Sequence, residues 1–499
     1  MRRRLIRPGY GSGMPSDAVD DVVVGAGVVG LTTALLLARG GHRVVVVTAE
    51  PVGGGSSGRS AGVVSQLHGT AYRRLSTETA RKNAAAYRAM NADGFALLAE
   101  LLETTGTPHE RRDAYLVASR PEGSARIDEE HLAAHRAGLR LDKLQHADAL
   151  PFEHHGALRL PDQLLVDPTR LLSALAIAAT AAGVRIVERE RVVDVRVRPG
   201  GTSVVETGAG EYAGKHVVLA TGTPILDRGL YALKTAAFRM LAVRGTAADA
   251  GLPIVTAIGP TGSTTIATAA DGRVDGIGEA HPVGTGGSEL RRADRLEAAV
   301  RGVVPGFTRS DAWSGQDYRP FNPIAFVGLL PRGGGAVSFA SGFDGWGLTQ
   351  GAAAGIRLAA DLLGQERPAW ATTIGRRVTR PKSQRIGLVA DVRAASARVS
   401  SMRRLASADV GLLREGRGVV TRTDAGPVAT SRTGDVVRSV SAVCTRAGGV
   451  VVWNDLETSW DCPVCGSRFD VDGSVLEGGA RGPLRPVPTP GASGGASQR

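Results

Sequence analysis

The sequence predicts an α/β fold followed by a small all-β unit, and three observations along the chain support this. Residues 19–49 contain apolar runs and glycine turns in the order strand, helix, strand. Residues 236–320 contain short apolar runs separated by glycine, which is typical of an antiparallel sheet. Short strand-like runs also surround the three cysteines near the end of the chain. We therefore expect a parallel β-α-β core, an inserted α+β region and a separate C-terminal β unit.

Composition is that of an ordinary globular protein, and 499 residues are enough for two or three domains. The net charge of +12 is partly local, because residues 371–404 hold nine Lys/Arg and only one acidic residue, Asp391. Such a run is more often a solvated linker than a nucleic-acid site, and no nucleic-acid-binding fold accompanies it. A nucleic-acid partner is therefore not expected.

All three cysteines lie within residues 444–465, so the sequence predicts no disulfide framework and a reducing, cytoplasmic environment. The first eight residues have the charge of a targeting segment but no apolar stretch behind them, and Met14 could be the true start. No run reaches the ~18 apolar residues of a membrane helix. Membrane association is not expected, and residues 1–18 are predicted to be a disordered basic leader.

A glycine motif directly follows the apolar strand Val22–Val24 and precedes a helix over 31–38 and a second strand over 44–47. In this Rossmann-like frame the first glycine makes the turn, the second admits a pyrophosphate and the third packs helix on strand. The phosphates then lie at the positive end of the helix. The motif residues are Gly25, Ala26, Gly27, Val28, Val29 and Gly30. The usual ribose-binding acid is replaced by Thr48, with Glu50 two residues later, and either could contact the hydroxyls.

Residues 53–62 resemble the G-x-S-G-R-x-A-G segment of the D-amino-acid-oxidase-like FAD-dependent oxidoreductases. The resemblance implies FAD as the cofactor, with this segment beneath its ribityl and diphosphate portion. It assigns FAD contacts to Ser57, Gly58, Arg59, Ser60 and Ala61.

Further segments match this family in the same order. The strand pair near residues 184–198 implies that backbone near Val193 contacts adenine, and 217–222 resembles the family's strand ending in an A-T-G turn beside the cofactor. Residues 337–349, before an alanine-rich helix, resemble the segment that faces the pyrimidine end of the flavin. The residues implied are Ala220, Thr221, Gly222, Gly342, Gly345, Gly347, Leu348 and Thr349.

The resemblance further implies oxidation of a C–N bond in a small amine or amino acid, by hydride transfer to flavin N5, with oxygen or an electron carrier as the final acceptor. No spacing rule identifies the catalytic residues, and each candidate has an ordinary structural role as its alternative. The candidates are His68, Arg239, Gln316, Tyr318, Arg319 and Trp346. His68 is interpreted as a structural histidine near the flavin, although covalent attachment stays open. A flavin-binding scaffold without turnover is the alternative function.

The tail resembles Rieske iron–sulfur domains in the segments 444–446, 453–454 and 459–470. The family implies a [2Fe-2S] centre held by Cys-x-His and Cys-x-x-His, but this chain has Arg446 and Cys465 at the two histidine positions. No histidine follows His281. The candidate metal ligands are Cys444, Cys462 and Cys465.

Three states of this tail stay open, in order of preference: a vacant module, a zinc site or atypical cluster, and an authentic Rieske centre. Residues 462–466 also resemble a zinc-ribbon knuckle, with Cys444 as a third ligand and Asp461 or water as a fourth.

The chain as a whole is identified as a member of the FAD-dependent oxidoreductases that carry a C-terminal Rieske domain. The predicted FAD-binding segments are about 19–71, 150–229 and 321–370. The predicted substrate domain covers about 72–149 and 230–320. A basic linker (371–410), a Rieske-like domain (411–485) and a disordered Pro/Gly/Ser-rich tail (486–499) are expected to follow.

Overall fold

The computed structural model describes residues 19–490 apart from 376–411 and short gaps at 199–200, 227, 230, 232–233, 249–250, 261 and 286. The predicted leader, most of the predicted basic linker and the last part of the predicted tail lie outside the described residues. Within the described residues, no helix combines the length and the apolar character needed to span a membrane.

Eight α-helices are present in the described residues. They are α1 Val28–Arg39, α2 Ala71–Glu78, α3 Arg81–Thr104, α4 Ser124–Arg136, α5 Pro168–Ala181, α6 Glu289–Val303, α7 Gly347–Leu362 and α8 Ala369–Gly375. The strands are β1 Val19–Val24, β2 Val44–Val47, β3 Val63–Val64, β4 His109–Ala118, β5 Asp142–Leu144, β6 Ala157–Val166, β7 Arg185–Val187, β8 Val192–Val197, β9 Ser203–Thr207, β10 Glu211–Leu219, β11 Thr235–Thr246, β12 Ile254–Ile258, β13 Ser263–Thr268, β14 Arg273–Pro282, β15 Thr308–Pro320, β16 Phe326–Leu329, β17 Val337–Ser341, β18 Arg417–Thr423, β19 Gly426–Thr433, β20 Val436–Ser441, β21 Val452–Asn454, β22 Ser459–Asp461, β23 Arg468–Phe469 and β24 Val475–Glu477.

The first sheet contains the parallel core that the glycine motif predicts. Its strand order is β16-β17-β10-β1-β2-β7, and β1 pairs in parallel with both β2 and β10. Its strands are apolar on both sides because both faces are covered. Side chains of α1, α5 and α7 pack on one face, and the β8–β9 pair packs on the other. The carboxyl end of β1 is therefore fixed at the turn that leads into α1.

The second sheet has nine strands in the order β15-β11-β14-β13-β12-β4-β6-β3, with β5 paired to β6. Most of its pairs are antiparallel, as the sequence predicts for 236–320, and the β4–β12 pair is parallel. The region also contains α6, which the prediction of strands over 236–320 did not include. Ser288 caps α6 by accepting from the Arg291 amide, and Ala293, Leu296 and Val300 form its buried face at helical spacing.

The C-terminal unit is all-β, as predicted, and consists of the sheets β18-β19-β20 and β21-β22-β23-β24. Its core contains Trp460, Phe469 and the three cysteines. The prediction of disorder from residue 486 is wrong at its start. Pro486 bridges to Val440, and the Val487 amide donates to the Ser439 carbonyl at 3.0 Å. The open edge of β20 offers backbone partners that a composition-based prediction does not consider.

Candidate functional site

A cavity of about 740 Å³ lies between the carboxyl end of β1 and the second sheet. It falls within the size range of cofactor sites, roughly 300–1,000 Å³. Its walls come from the β1–α1 turn, the segment 53–63, the 220–222 turn, the segment 342–350 and strands β11 and β15. Residues 476–478 of the C-terminal unit also line it. The cavity is thus bounded by both sheets and by the C-terminal unit.

The β1–α1 turn forms a cradle that only glycine permits. A Cβ at Gly25 would lie 2.5 Å from the Ala220 carbonyl oxygen, and one at Gly30 would lie 1.9 Å from the Gly25 carbonyl oxygen. Helix α1 begins here without a side-chain cap or an acidic residue in its first turn. The Val28 amide binds Ser57 Oγ at 3.2 Å, and the next first-turn amides have no acceptor within the helix. An open helix N-terminus of this kind fits the diphosphate of a dinucleotide.

The segment 56–61 forms the adjoining wall of the cavity. Ser60 Oγ donates to the Ser57 carbonyl at 3.0 Å, which holds the turn closed. Arg59 lines the cavity, but its Nη1 donates to both carboxylate oxygens of Glu457 at 3.1 Å. The predicted FAD contact Arg59 is therefore also a contact to the C-terminal unit.

At the predicted ribose and adenine end, Thr48 and Glu50 both line the cavity. The structure places Arg191 and Val192 in the wall instead of Val193, whose side chain is 55% exposed. Successive side chains of β8 point to opposite faces, so Val193 points away from the cavity. The prediction concerns the backbone near Val193 and stays a prediction.

The 220–222 turn and the 342–349 segment meet on the far side of the cradle. Ser341 Oγ donates to the Gly222 carbonyl at 2.6 Å, and Thr349 Oγ1 donates to the Ser65 carbonyl at 2.9 Å. Helix α7 starts at Gly347 without a side-chain cap hydrogen bond, so a second helix N-terminus faces the cavity. All eight residues predicted in these two segments line the cavity.

His68 lines the cavity and its ring stacks on Trp346 with 4.6 Å between ring centroids. Its Nε2 lies 2.7 Å from the Ser65 carbonyl, which can only accept, so Nε2 carries the proton. Nδ1 therefore accepts from the Tyr87 hydroxyl at 2.6 Å. Burial lowers the pKa of His68 to about 3. The ring is neutral, with both nitrogens used in hydrogen bonds.

Strands β11 and β15 form a wall one sheet thick between the cavity and the C-terminal unit, which we call the partition. Phe238, Met240 and Ala242 of β11 line the cavity, and they pair with Asp317, Gly315 and Trp313 of β15. The alternate residues face the C-terminal unit: Ala237 and Gln316 lie against Gly466, Arg239 against Asp461 and Ser314 against Glu457. Tyr318 lies on the same face of β15, because side chains alternate along a strand.

Arg239 is predicted as a catalytic candidate, but its side chain lies on the face of the partition that is turned away from the cavity. Its guanidinium is 1% exposed and forms an ion pair with Asp461 at 2.9 Å. It also donates to Ser314 Oγ at 3.1 Å and to Gln316 Oε1 at 3.3 Å. Arg239 does not line the cavity, and Asp461 is not free to act as the fourth metal ligand that the sequence suggested.

Gln316 and Tyr318 touch the cavity, but their polar atoms point away from it. Gln316 Nε2 donates to the Tyr318 hydroxyl at 2.9 Å and to the Gly466 carbonyl at 2.8 Å. Burial raises the pKa of Tyr318 above its usual value. Their side-chain hydrogen bonds connect β15 to the C-terminal unit.

Three of the charged residues that line the cavity are Asp317, Arg319 and Asp344. Asp344 accepts from Arg319 Nε at 2.6 Å and from Arg74 Nη1 at 2.5 Å, and the Phe238 ring lies 4.8 Å from the Arg319 guanidinium. Asp317 accepts from the Gly345 amide at 2.6 Å, and burial raises the pKa of Asp317 to about 7. Only Arg319 was predicted. Alternation along β15, applied to residues 313–319, would have identified Asp317 with it.

The three cysteines form a compact, buried cluster. Their Sγ atoms lie within 4.8 Å of one another, and those of Cys444 and Cys465 are 3.7 Å apart. Arg446, at a predicted histidine position, donates from Nη2 to the Pro224 carbonyl at 3.0 Å. A Cβ at Gly479 would lie 1.5 Å from Arg446 Nη1, so this glycine makes room for the arginine. A permanently charged guanidinium cannot ligate iron, and this donor set does not fit a Rieske centre.

The comparisons with known proteins agree with this architecture. Residues 20–362 match a family model described as FAD dependent oxidoreductase, DAO. YhfW of Bacillus subtilis (strain 168), whose name describes a Rieske 2Fe-2S iron-sulfur protein, is 26% identical over 483 residues, covering 94% of this chain and 93% of that protein. The crystal structure of glycine oxidase from Geobacillus kaustophilus superposes with a TM-score of 0.59 at 22% identity, covering 71% of this chain and 96% of that chain. Cytochrome b6-f complex iron-sulfur subunit 1 of Nostoc sp. (strain PCC 7120) is 46% identical over 41 residues, 8% of this chain and 23% of that protein.

Proposed function

The chain belongs to the FAD dependent oxidoreductase (DAO) family, and from this premise we propose that it oxidises the C–N bond of a small amine or amino acid in the cavity. The observation that carries the proposal is a single cavity with a dinucleotide cradle at one end and the ionisable groups of Asp317, Arg319 and Asp344 at the other. When bound, the flavin supplies N5 as the hydride acceptor.

The residues that we propose to hold FAD come from the cavity wall. The diphosphate would lie at the N-terminus of α1, beside the Ser57 hydroxyl that already binds the Val28 amide. Thr48, Glu50 and Val192 all line the cavity. Thr48 and Glu50 would contact the ribose, and the backbone of β8 near Val192 would contact the adenine. The N-terminus of α7 would face the pyrimidine end, where its dipole favours negative charge.

At the substrate end we assign two roles. Arg319 has its Nε bound to Asp344, and we propose that its terminal nitrogens hold the carboxylate of an amino-acid substrate. Asp317 lines the cavity, and its raised pKa of about 7 suits exchange of a proton near neutral pH. We propose that Asp317 accepts the proton of the substrate ammonium, so that the amine is neutral when it is oxidised.

The electron exit follows from the donor set of the C-terminal unit. Because Arg446 and Cys465 stand at the predicted histidine positions, we propose that the module does not hold a Rieske [2Fe-2S] centre. Reoxidation would then go directly to oxygen or to another acceptor that reaches the cavity.

The test is an anaerobic titration of the purified full-length protein with amines and amino acids, followed by visible absorbance. We expect at least one substrate class to bleach the flavin bands. A flavin that no amine or amino acid reduces would contradict the proposal and favour the scaffold function.

Two variants separate the assigned roles. Arg319→Leu should raise KM for amino acids at least tenfold and leave KM for carboxylate-free amines nearly unchanged. Asp317→Asn should remove a group near pH 7 from the pH profile of flavin reduction, while Arg319→Leu should leave that group in place. Equal losses for both substrate classes in Arg319→Leu would contradict its role as the carboxylate ligand.

A further inference from the structure

We propose that Cys444, Cys462 and Cys465 bind one thiophilic metal ion, zinc or Cu(I), in a site distinct from a two-iron cluster. Both ions prefer thiolate ligands, and both lack a geometry imposed by d-electrons. The proposal concerns the C-terminal unit alone and does not depend on the reaction at the flavin.

The spacing of the sulfur atoms fits a single ion. A metal–sulfur bond of about 2.3 Å puts two sulfurs on the same ion roughly 3.7–4.0 Å apart. The Sγ atoms of Cys444 and Cys465 are 3.7 Å apart, and all three Sγ atoms lie within 4.8 Å of one another. Only small adjustments would bring all three sulfurs onto one ion.

The backbone holds the cluster in place before any ion arrives. Each of two loops begins at a cysteine and is closed by a glycine amide four residues later. Gly448 N donates to the Cys444 carbonyl, and Gly466 N donates to the Cys462 carbonyl, both at 2.9 Å. Cys465 lies inside the second loop, with its Sγ 3.2 Å from Ser467 Oγ. Such preorganisation lowers the entropy cost of binding.

The surroundings of the cluster favour one ion over two. The three cysteines are between 0% and 8% exposed, which limits access of water. In a Rieske centre the second iron takes two imidazoles. In this chain Cys465 joins the other two thiols, and Arg446, whose guanidinium cannot ligate a metal, supplies no ligand for a second iron.

The coordination number separates the two candidate ions. Within the described residues, this group of potential metal ligands consists of the three cysteine sulfurs and includes no His, Asp or Glu. Asp461 is held in its ion pair with Arg239. Three thiolates are a complete set for Cu(I), whereas zinc would need an exogenous fourth ligand, since structural zinc is four-coordinate.

The experiment uses the full-length, reduced, flavin-containing protein. Metal-free protein is titrated anaerobically with Zn²⁺ and, separately, with Cu⁺ against a competing chelator. We expect one equivalent of one of these ions to bind and to protect all three thiols from alkylation. Cys444→Ser and Cys465→Ser should each weaken binding at least tenfold, and Thr445→Ser, at an exposed position between the ligand and Arg446, should not.

Folding of the cysteine variants is checked by their flavin absorbance and thermal midpoint. The number of ions bound by the native chain is measured independently of these variants. Two irons with acid-labile sulfide in the native chain, a disulfide between Cys444 and Cys465 in the reduced preparation, or no binding of either ion would overturn the proposal. The double variant R446H/C465H restores two histidines at the family's positions. Iron uptake by that variant and not by the native chain supports the proposal, and equal iron in both contradicts it.

Discussion

The cofactor cradle and the cysteine cluster are both formed by tight turns, yet they differ in how well they match their families. In the cradle the chemistry is carried by backbone, and the glycines that the backbone needs are present at each position. In the cluster the turns persist, but two ligand positions have changed to Arg446 and Cys465. A backbone-built site is thus determined by the fold, whereas a side-chain site can change its chemistry while the fold stays the same.

The cradle should be the more sensitive of the two regions to a single methyl group. In Gly30→Ala the new Cβ would lie 1.9 Å from the Gly25 carbonyl oxygen, so the turn must open. We expect purified Gly30→Ala to contain less than a tenth of the native FAD, measured by absorbance after denaturation. Gly208→Ala is the control, because a Cβ there meets nothing within 4 Å. Full flavin occupancy in Gly30→Ala would show that the cradle does not require glycine at this position.

The partition predicts that the two regions are coupled through a buried charge pair. Arg239→Met removes the closest charged partner of the buried Asp461 and leaves only Arg468, 4.0 Å away. Breaking a buried pair in this way costs up to about 3–5 kcal/mol of unfolding free energy. Arg196→Ala, which breaks an exposed pair with Glu206 and Glu211, should cost less than about 1 kcal/mol. Chemical denaturation measures both. Similar small losses would show that the C-terminal unit is not coupled to the partition in this way.

Glu457 forms a second contact between the two regions through its ion pair with Arg59. Its ion pairs with Arg59 and Arg468 should make the unfolding free energy depend on pH. Burial alone would raise the pKa of Glu457, but Arg468 and Arg59 outweigh it and lower the pKa to about 2 from 4.5. The stabilisation is complete above pH 4.5 and is lost as the pH falls toward 2, by about 3 kcal/mol at most. Glu457→Gln should flatten this part of the stability profile, measured by thermal midpoints from pH 5 to 2.5. An unchanged slope would contradict the low pKa.

The smallest loss is expected on removing the Tyr87 hydroxyl, which donates to His68. Tyr87→Phe removes the donor to Nδ1 and should cost about 1 kcal/mol. Because the pKa of His68 is lowered to about 3, the unfolded chain binds more protons between pH 3 and 6.5, and stability should fall as the pH drops through that window. Replacing His68 with glutamine should remove this contribution, and NMR titration of the native ring should show no transition near pH 6.5. A transition there would refute the neutral histidine.

The fold class was predictable because local patterns specify it: the apolar strand before Gly25, the glycine motif and the cysteine-containing tail. The catalytic candidates were less predictable, since residue type does not say which face of a strand a side chain occupies. Arg239 and Gln316 are the kinds of residue that bind substrates, but they face the C-terminal unit. A sequence cannot show that β11 and β15 are covered on both sides, because that depends on contacts between residues far apart in the chain, such as Gln316 with Gly466 and Arg239 with Asp461. Helix α6, in contrast, had a readable signal in Ser288 and the spacing of its apolar residues.

The partition has a consequence for insertions and deletions in β11 and β15. Removing one residue from the middle of β15 would rotate every following side chain to the opposite face. Asp317 and Arg319 would then point toward the cysteines, and Gln316 and Tyr318 would point toward the flavin pocket. Homologues that differ in length within this strand should therefore have exchanged both surfaces at once or compensated with a bulge.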